Sequence, residues 1–160
     1  MAFTMALGMS DLPTVYNLTF AVGANLPNHR DDVLLVQRLI QLANFPLFSG
    51  GLPVAGSSLI KVDGWFGPET KRMIEAFEAD QKKRGKLLVA DGFFEPSSKD
   101  GFTGKGVLYK IIHLNRAAKV RNPSEYNFLP FDSVNDPILR GALMRGATPP
   151  PKPKFPGGLP

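Results

Sequence analysis

The chain has 160 residues, a formal net charge of +5 and no cysteine. Its length suits one domain with a real core, while 15 prolines and 16 glycines predict much irregular chain around that core. The lack of cysteine excludes disulfides, thiolate zinc sites and cysteine nucleophiles, and the positive charge favours an anionic partner without selecting nucleic acid, a cell-wall polymer or an acidic protein.

The first ten residues carry no basic leader and no long apolar run. Nowhere does the chain offer the run of about 18 apolar residues that a membrane helix needs. We therefore expect neither a secretory signal nor a membrane span, and we expect a protein that is made in the cytoplasm.

Residues 14–22 alternate between two sides, which predicts a strand. One side carries Tyr16, Leu18, Phe20 and Val22. Because no second alternating run follows, the strand needs a partner from a short unidentified segment or from another chain. The alternative is a short edge strand that lies on the helices.

A first helix is predicted from Asp31 to about Asn44, where Pro46 stops it. Its inward stripe consists of Val33, Val36, Leu39, Ile40 and Ala43. The loop that follows, residues 45–58, is rich in Gly and Pro and carries four large apolar residues, Phe45, Leu47, Phe48 and Leu52. Such a loop either folds back on the core or serves binding.

Residues 62–70, Val-Asp-Gly-Trp-Phe-Gly-Pro-Glu-Thr, predict the start of a second helix. Asp63-Gly64 is a turn pair, Gly67 suits the N-cap and Pro68 suits the first helical position. The helix is expected from Pro68 to about Arg84. Its core stripe is Met73, Ile74, Phe77 and Gln81, opposite a solvent face of Lys71, Glu75, Glu78 and Lys82.

The Asp-Gly turn returns 28 residues later as Asp91-Gly92, so the chain contains a short degenerate repeat. We expect both aspartates to accept local backbone hydrogen bonds beside a helix start, and neither to bind a metal.

The residues of the first turn resemble the peptidoglycan-binding-like domain found beside many cell-wall hydrolases. The matching positions are Gln37, Asp63, Gly64, Phe66, Gly67, Pro68 and Thr70, with Asp91 and Gly92 in the second turn. The resemblance covers about residues 23–120 and implies a mainly α, three-helix bundle that binds cell-wall glycan. The chain departs from the family pattern with Phe77-Glu78 for Phe-Gln, Glu95 for Gly, Ser98 for Thr and a Gly-rich run at 99–106.

A third helix is predicted from about Lys105 to Lys119, with Val107, Leu108, Ile111, Ile112, Leu114 and Ala118 as its buried side. Tyr109, His113 and Arg116 share another flank, where they could stack on a sugar ring and bind a carboxylate. The alternative is a partly exposed polar flank without a ligand. Together with Trp65, at the edge of the bundle, they are the candidate glycan-binding residues.

Beyond Arg121 the composition shifts to Pro, Asn, Phe and Gly. Asp136-Pro137 predicts a short helix that Gly146 ends, and residues 148–160 predict an extended, Pro-rich tail. The expected organisation is an arm or strand at 1–22, the bundle at 23–120, an irregular extension at 121–146 and the tail at 147–160. Residues 14–22 and 148–160 are expected to contact other chains of an assembly.

Catalytic patterns are absent from the sequence. Neither His29 nor His113 accompanies a Gly-x-Ser-x-Gly elbow, and no His-Glu-x-x-His motif occurs. The carboxylates are predicted at helix or turn surfaces, and the basic run at 82–84 is a solvated helix end without the interleaved aromatic residues of a nucleic-acid site. We therefore expect no enzyme, no cofactor, no metal and no nucleic-acid partner.

Two functions remain open. One is a peptidoglycan-binding-like module in a particle or machine that meets the cell wall, such as a phage tail, a baseplate or a contractile secretion system. The other is a structural adaptor of such an assembly that has lost glycan binding.

Overall fold

Helix α1 (Arg30–Ala43) is the central element of the computed structural model, which describes residues 1–49, 52–54, 56–132 and 134–145. All its residues except Arg30 and Gln41 are buried. The predicted inward stripe is confirmed, but Leu34, Leu35 and Leu42 on its other sides are buried as well. Helix α1 is thus buried on every side, with four polar residues, Asp31, Asp32, Gln37 and Arg38, among its buried ones. It contacts every other helix named below.

The described chain is mainly α. The other helices are α2 (Pro68–Lys83), α3 (Lys110–Arg121), α4 (Pro123–Phe128) and α5 (Pro137–Leu143), with 3-10 turns at Ser57–Leu59 and Leu129–Phe131. The strands are β1 (Phe3–Ala6), β2 (Thr14–Asn17), β3 (Val22–Gly23), β4 (Leu47–Ser49), β5 (Leu52–Val54) and β6 (Phe93–Phe94). They form three two-stranded antiparallel sheets, which pair β1 with β2, β3 with β6 and β4 with β5.

The strand predicted at 14–22 is shorter than expected, because β2 ends at Asn17. Its backbone pairs with β1, a short segment of the same chain, which is the first of the two partners that the sequence left open. The strand stops because the amides of Thr19 and Phe20 turn away to donate to the two Asp32 carboxylate oxygens, at 3.0 and 3.1 Å. Phe20 is therefore exposed, although Tyr16, Leu18 and Val22 of the same predicted side are buried. Val15 of the opposite side is buried as well.

The apolar loop after α1 folds back on the core in part. Phe45 is buried and Leu47 packs against the core, as the first of the two alternatives required. The sequence did not predict the hairpin that β4 and β5 form here. The side chains of Phe48 and Leu52 lie outside the described part of the structure.

Helix α2 agrees with its prediction to within one residue, and Gly67 and Pro68 take the expected capping positions. Helix α3 begins five residues later than predicted. Residues 103–109 form a turn instead, in which the Thr103 amide donates to the Val107 carbonyl at 2.7 Å. The predicted common core is confirmed, since Val36, Leu39, Ile40, Ile74, Phe77, Ile111 and Ile112 are all buried in one cluster.

The described part of the predicted extension, residues 121–132 and 134–145, packs on the same core. Tyr126 of α4 and Leu139 and Leu143 of α5 are buried in the cluster around α1. The Pro-rich tail predicted at 148–160 lies outside the described residues. Among the residues that the structure describes, no helix combines the length and the apolar character needed to cross a bilayer.

Candidate functional site

The first Asp-Gly turn is organised by the side chain of Gln37. Its Oε1 accepts hydrogen bonds from the Asp63 and Gly64 amides, at 3.1 and 2.8 Å. Its Nε2 donates to Asp63 Oδ1 at 3.1 Å, the Trp65 carbonyl at 3.0 Å and Thr70 Oγ1 at 3.0 Å. One buried amide on α1 therefore holds the turn and the first helical turn of α2 together.

Asp63 and Gly64 supply the local geometry of that turn. Gly64 has a φ of +77°, which an L side chain rarely adopts, and Asp63 Oδ1 accepts from the Trp65 amide at 3.0 Å. The hydrogen bond from the Trp65 amide is the main reason that the pKa of Asp63 lies below its ordinary value. Phe66 is half-buried against the core. Four motif residues, Gln37, Asp63, Gly64 and Thr70, thus form one hydrogen-bonded unit.

The second Asp-Gly turn repeats this geometry with a different side chain. Gly92 also has a φ of +77°, and Asp91 Oδ1 accepts from the Phe93 amide at 3.3 Å. Here Glu78 of α2 takes the place that Gln37 has in the first turn, because its Oε1 accepts from the Gly92 amide at 3.0 Å. Both aspartates accept the local hydrogen bonds that were predicted. The second turn, however, leads into β6 and not into a helix.

Glu78 was predicted on the solvent face of α2, and that prediction is wrong, because the residue is buried. A carboxylate has no N–H to donate to Asp91, whereas Gln37 donates to Asp63. Lys110 of α3 compensates, since its ammonium contacts both Glu78 Oε1, at 2.6 Å, and Asp91 Oδ1. The second turn therefore has a glutamate where the first has a glutamine, and the buried lysine supplies the donor that the glutamate lacks. The sequence pattern did not predict this lysine.

A third Asp-Gly turn, at Asp100-Gly101, precedes α3. Asp100 Oδ1 accepts from the Phe102 amide at 3.1 Å, and Gly101 has a φ of +80°. The Gly101 carbonyl accepts from the Tyr109 amide at 3.1 Å, directly before α3. Its Asp-Gly-Phe sequence is the same as that of the second turn, and the aspartate beside a glycine is the pattern from which a turn is predicted here as well.

The structure divides the four candidate glycan-binding residues among three places. His113 and Arg116 line a cavity of about 270 Å³ between α1, α2 and α3. Tyr109 precedes the first residue of α3 and lines a different cavity of about 520 Å³. Trp65 is 73% exposed beside the first turn and lines neither of these cavities. Of the three residues predicted on one flank of α3, only His113 and Arg116 therefore line the same cavity.

We call the cavity beside His113 the basic cavity. Its apolar wall consists of Ala43, Phe45, Phe77, Ala117 and Val120. Its charged residues are Asp80, Arg84, Lys86, Arg116 and Arg121. Arg84 pairs with Asp80 at 2.8 Å and Arg116 pairs with Asp11 at 2.7 Å, whereas Lys86 and Arg121 have no ion-pair partner within the described residues. The cavity therefore keeps an excess of positive charge.

His113 and Gln81 are the buried polar residues of the basic cavity. Burial lowers the pKa of the His113 imidazole, and the nearby charges of Arg116 and Lys86 lower that pKa further. Its Nε2 is buried and has no hydrogen-bond partner among the described residues. The basic cavity can therefore attract an anion through Lys86 and Arg121, whereas Nε2 itself is covered by protein atoms.

The described residues contain no cluster of three His, Asp or Glu side chains that could hold a metal ion. The chain matches no protein-family model, no curated protein and no solved structure.

Proposed function

We propose that the protein is a non-catalytic, peptidoglycan-binding-like module that belongs to a particle or machine that meets the cell wall, such as a phage tail, a baseplate or a contractile secretion system. The observation that carries the proposal is the hydrogen-bonded unit of Gln37, Asp63 and Thr70. These residues are the ones on which the family resemblance rests, and they act together on one turn. The similar arrangement of Glu78 and Asp91 supports it.

The basic cavity is the proposed contact with the polymer. Peptidoglycan combines sugar rings with carboxylates, and the cavity combines apolar walls with the cations Lys86 and Arg121. The exposed indole of Trp65 offers a second, separate surface on which a sugar ring can stack, and Tyr109 a third. The proposed role is non-catalytic, because the sequence carries neither the Gly-x-Ser-x-Gly nor the His-Glu-x-x-His motif.

Co-sedimentation with insoluble peptidoglycan at moderate salt tests the proposal. We expect the full chain to sediment with the polymer, and Arg116→Gln or Tyr109→Ala to weaken binding more than Lys82→Ala. Lys82 is the matched control because it is an exposed cation that lies outside the basic cavity. Binding that falls with salt to the same extent in every variant would contradict the proposal, since any basic protein adheres to an anionic polymer in that way.

A structural adaptor without glycan binding is the second candidate. It is favoured by Leu87 and Val89, which are 77% and 69% exposed beside the cavity of Tyr109. The pairing of β1 with β2 removes the argument that residues 14–22 need another chain. Deleting residues 147–160 tests the remaining arm. If the protein is an adaptor, the variant without residues 147–160 should stay folded but should no longer enter its parent assembly. Normal incorporation of this variant would contradict this candidate.

A further inference from the structure

The hairpin of β1 and β2 has two outer edges, and side chains occupy the edge of β2. In an antiparallel pair, every second residue directs its amide and carbonyl away from the partner strand. On β2, Tyr16 is such a residue, and the Asn115 side chain bonds both its amide and its carbonyl, each at 2.9 Å. The Tyr126 hydroxyl donates to the Thr14 carbonyl at 3.2 Å. Residues of α3 and α4 therefore cover this edge.

The edge of β1 is open. Thr4 and Ala6 lie opposite Tyr16 and Thr14, so their backbone groups also point away from the hairpin. Within the described residues, the amides and carbonyls of Thr4 and Ala6 have no hydrogen-bond partner. Ala6 is exposed, and both residues line a cavity of about 330 Å³. The strand, Phe-Thr-Met-Ala, carries neither the charge nor the proline that protects many exposed edges, so an added strand can pair with it.

The chain passes close to this edge after α5. Thr4 Oγ1 donates to the Leu143 carbonyl at 2.9 Å, so the end of α5 lies against β1. The three residues from Leu143 to residue 146 span at most about 10 Å, which is enough to bring residue 146 to the edge. Residues 146–148 then cover the length from Thr4 to Ala6, which is about 7 Å in a strand.

The sequence of this segment suits a short strand. Residues 146–148 are Gly-Ala-Thr, and each of them has a backbone N–H. The prolines at 149–151 have none and end the pairing there, since proline cannot donate to a ladder.

We propose that residues 146–148 of the same chain add to the open edge of β1 as a third strand of the hairpin sheet. Their backbone groups pair with those of Thr4 and Ala6, which face the same neighbour because they are two residues apart. The start of the Pro-rich tail is then held on its own domain, in contrast to the contact with other chains predicted from the sequence. This pairing is independent of peptidoglycan binding.

Amide hydrogen exchange of the full chain, measured by NMR, tests the pairing. We expect the Thr4 and Ala6 amides to exchange at least about tenfold more slowly than in a variant that lacks residues 146–160. The Met5 amide faces β2 and is the internal control, because it should be protected in both proteins. Exchange of Thr4 and Ala6 in the full chain at the rates of an unstructured peptide would overturn the proposal, whether or not the variant folds. Equal protection of both amides in the folded variant would also overturn it.

Two further measurements identify the strand that occupies the edge. Nuclear Overhauser effects between backbone hydrogens of residues 146–148 and those of Thr4 to Ala6 are expected, and their absence from a protected edge would overturn the assignment. Pairing within one chain should give the same exchange rates after tenfold dilution. Protection that is lost on dilution would show that a second copy supplies the strand, and it would overturn the assignment to the same chain.

Discussion

The Lys110 ammonium lies 2.6 Å from Glu78 Oε1, and only 7% and 4% of the two side chains are exposed. This ion pair joins α3 to α2, and through Asp91 it also joins both helices to the second Asp-Gly turn. At the first turn, the neutral side chain of Gln37 alone joins the turn to helix α1. The two turns thus have the same geometry but different buried side chains.

Lys110→Met should destabilise the protein by about 3–5 kcal/mol, because it leaves the buried Glu78 carboxylate without its counter-charge. Adding Glu78→Gln should recover part of this loss, because a glutamine amide can accept from Gly92 and donate to Asp91, as Gln37 does at Asp63. Urea denaturation of both variants measures the free energy of unfolding. A Lys110→Met protein as stable as the wild type would show that the pair contributes nothing.

Gln37→Leu should cost about 3 kcal/mol, because the Asp63 and Gly64 amides and Thr70 lose a buried partner. Gln37→Glu keeps an acceptor for the two amides but places a second carboxylate against Asp63. Its cost should therefore be larger at pH 7 than at pH 4, where protonation relieves the repulsion. Denaturation of both variants at the two pH values checks this, and equal costs would contradict it.

Phe77→Ala should lower the free energy of unfolding by about 3–5 kcal/mol. The ring is fully buried, and its centre lies 5.7 Å from those of Phe45 and Phe94, so truncation leaves a cavity between three aromatic residues. Leu87→Ala, at an exposed position, is the control and should change stability by less than about 0.5 kcal/mol. Thermal and chemical denaturation measure both. Similar losses in the two variants would refute the proposed core.

Gly64→Ala should be more destabilising than Gly85→Ala. Both glycines have positive φ, at +77° and +74°, so both alanines incur about 1–2 kcal/mol of backbone strain. Only at Gly64 would the new Cβ meet a neighbour, 2.7 Å from Arg30 Cγ, whereas nothing lies within 4 Å at Gly85. The difference between their melting temperatures isolates the contact, and a zero difference would mean that Arg30 moves aside freely.

The stability of the protein should fall as the pH decreases below about 6.5, partly because of His113. The unfolded chain takes up a proton on this imidazole near its ordinary pKa of 6.5, whereas the folded protein takes it up only at lower pH. In that interval the unfolded state binds more protons, so stability rises with pH and is lost on acidification. His113→Leu should flatten the dependence between pH 7 and 5, as measured by denaturation across that range. An unchanged slope would contradict the depressed pKa.

The sequence predicted the local features well where one segment decides its own structure. Helices α1 and α2 follow from apolar spacing and from the Gly67-Pro68 start, and the Asp-Gly turns follow from the φ that glycine permits. Residues 14–22 show the limit of this reasoning. Their alternation predicts a strand. However, the carboxylate of Asp32, twelve residues beyond Phe20, accepts a hydrogen bond from the Phe20 amide, and the strand ends before that residue.

Helix propensity and apolar pattern were therefore determined by the sequence alone, because each depends on neighbours within one or two turns. The burial of Glu78, its pairing with Lys110 and the separation of Tyr109 from His113 were decided only by tertiary structure. These three features depend on which helices contact each other. The free energy of burying a charged group, in particular, depends on the groups that surround it. A glutamate on an isolated helix belongs in water, and only the approach of a lysine from α3, 32 residues away, makes its burial favourable.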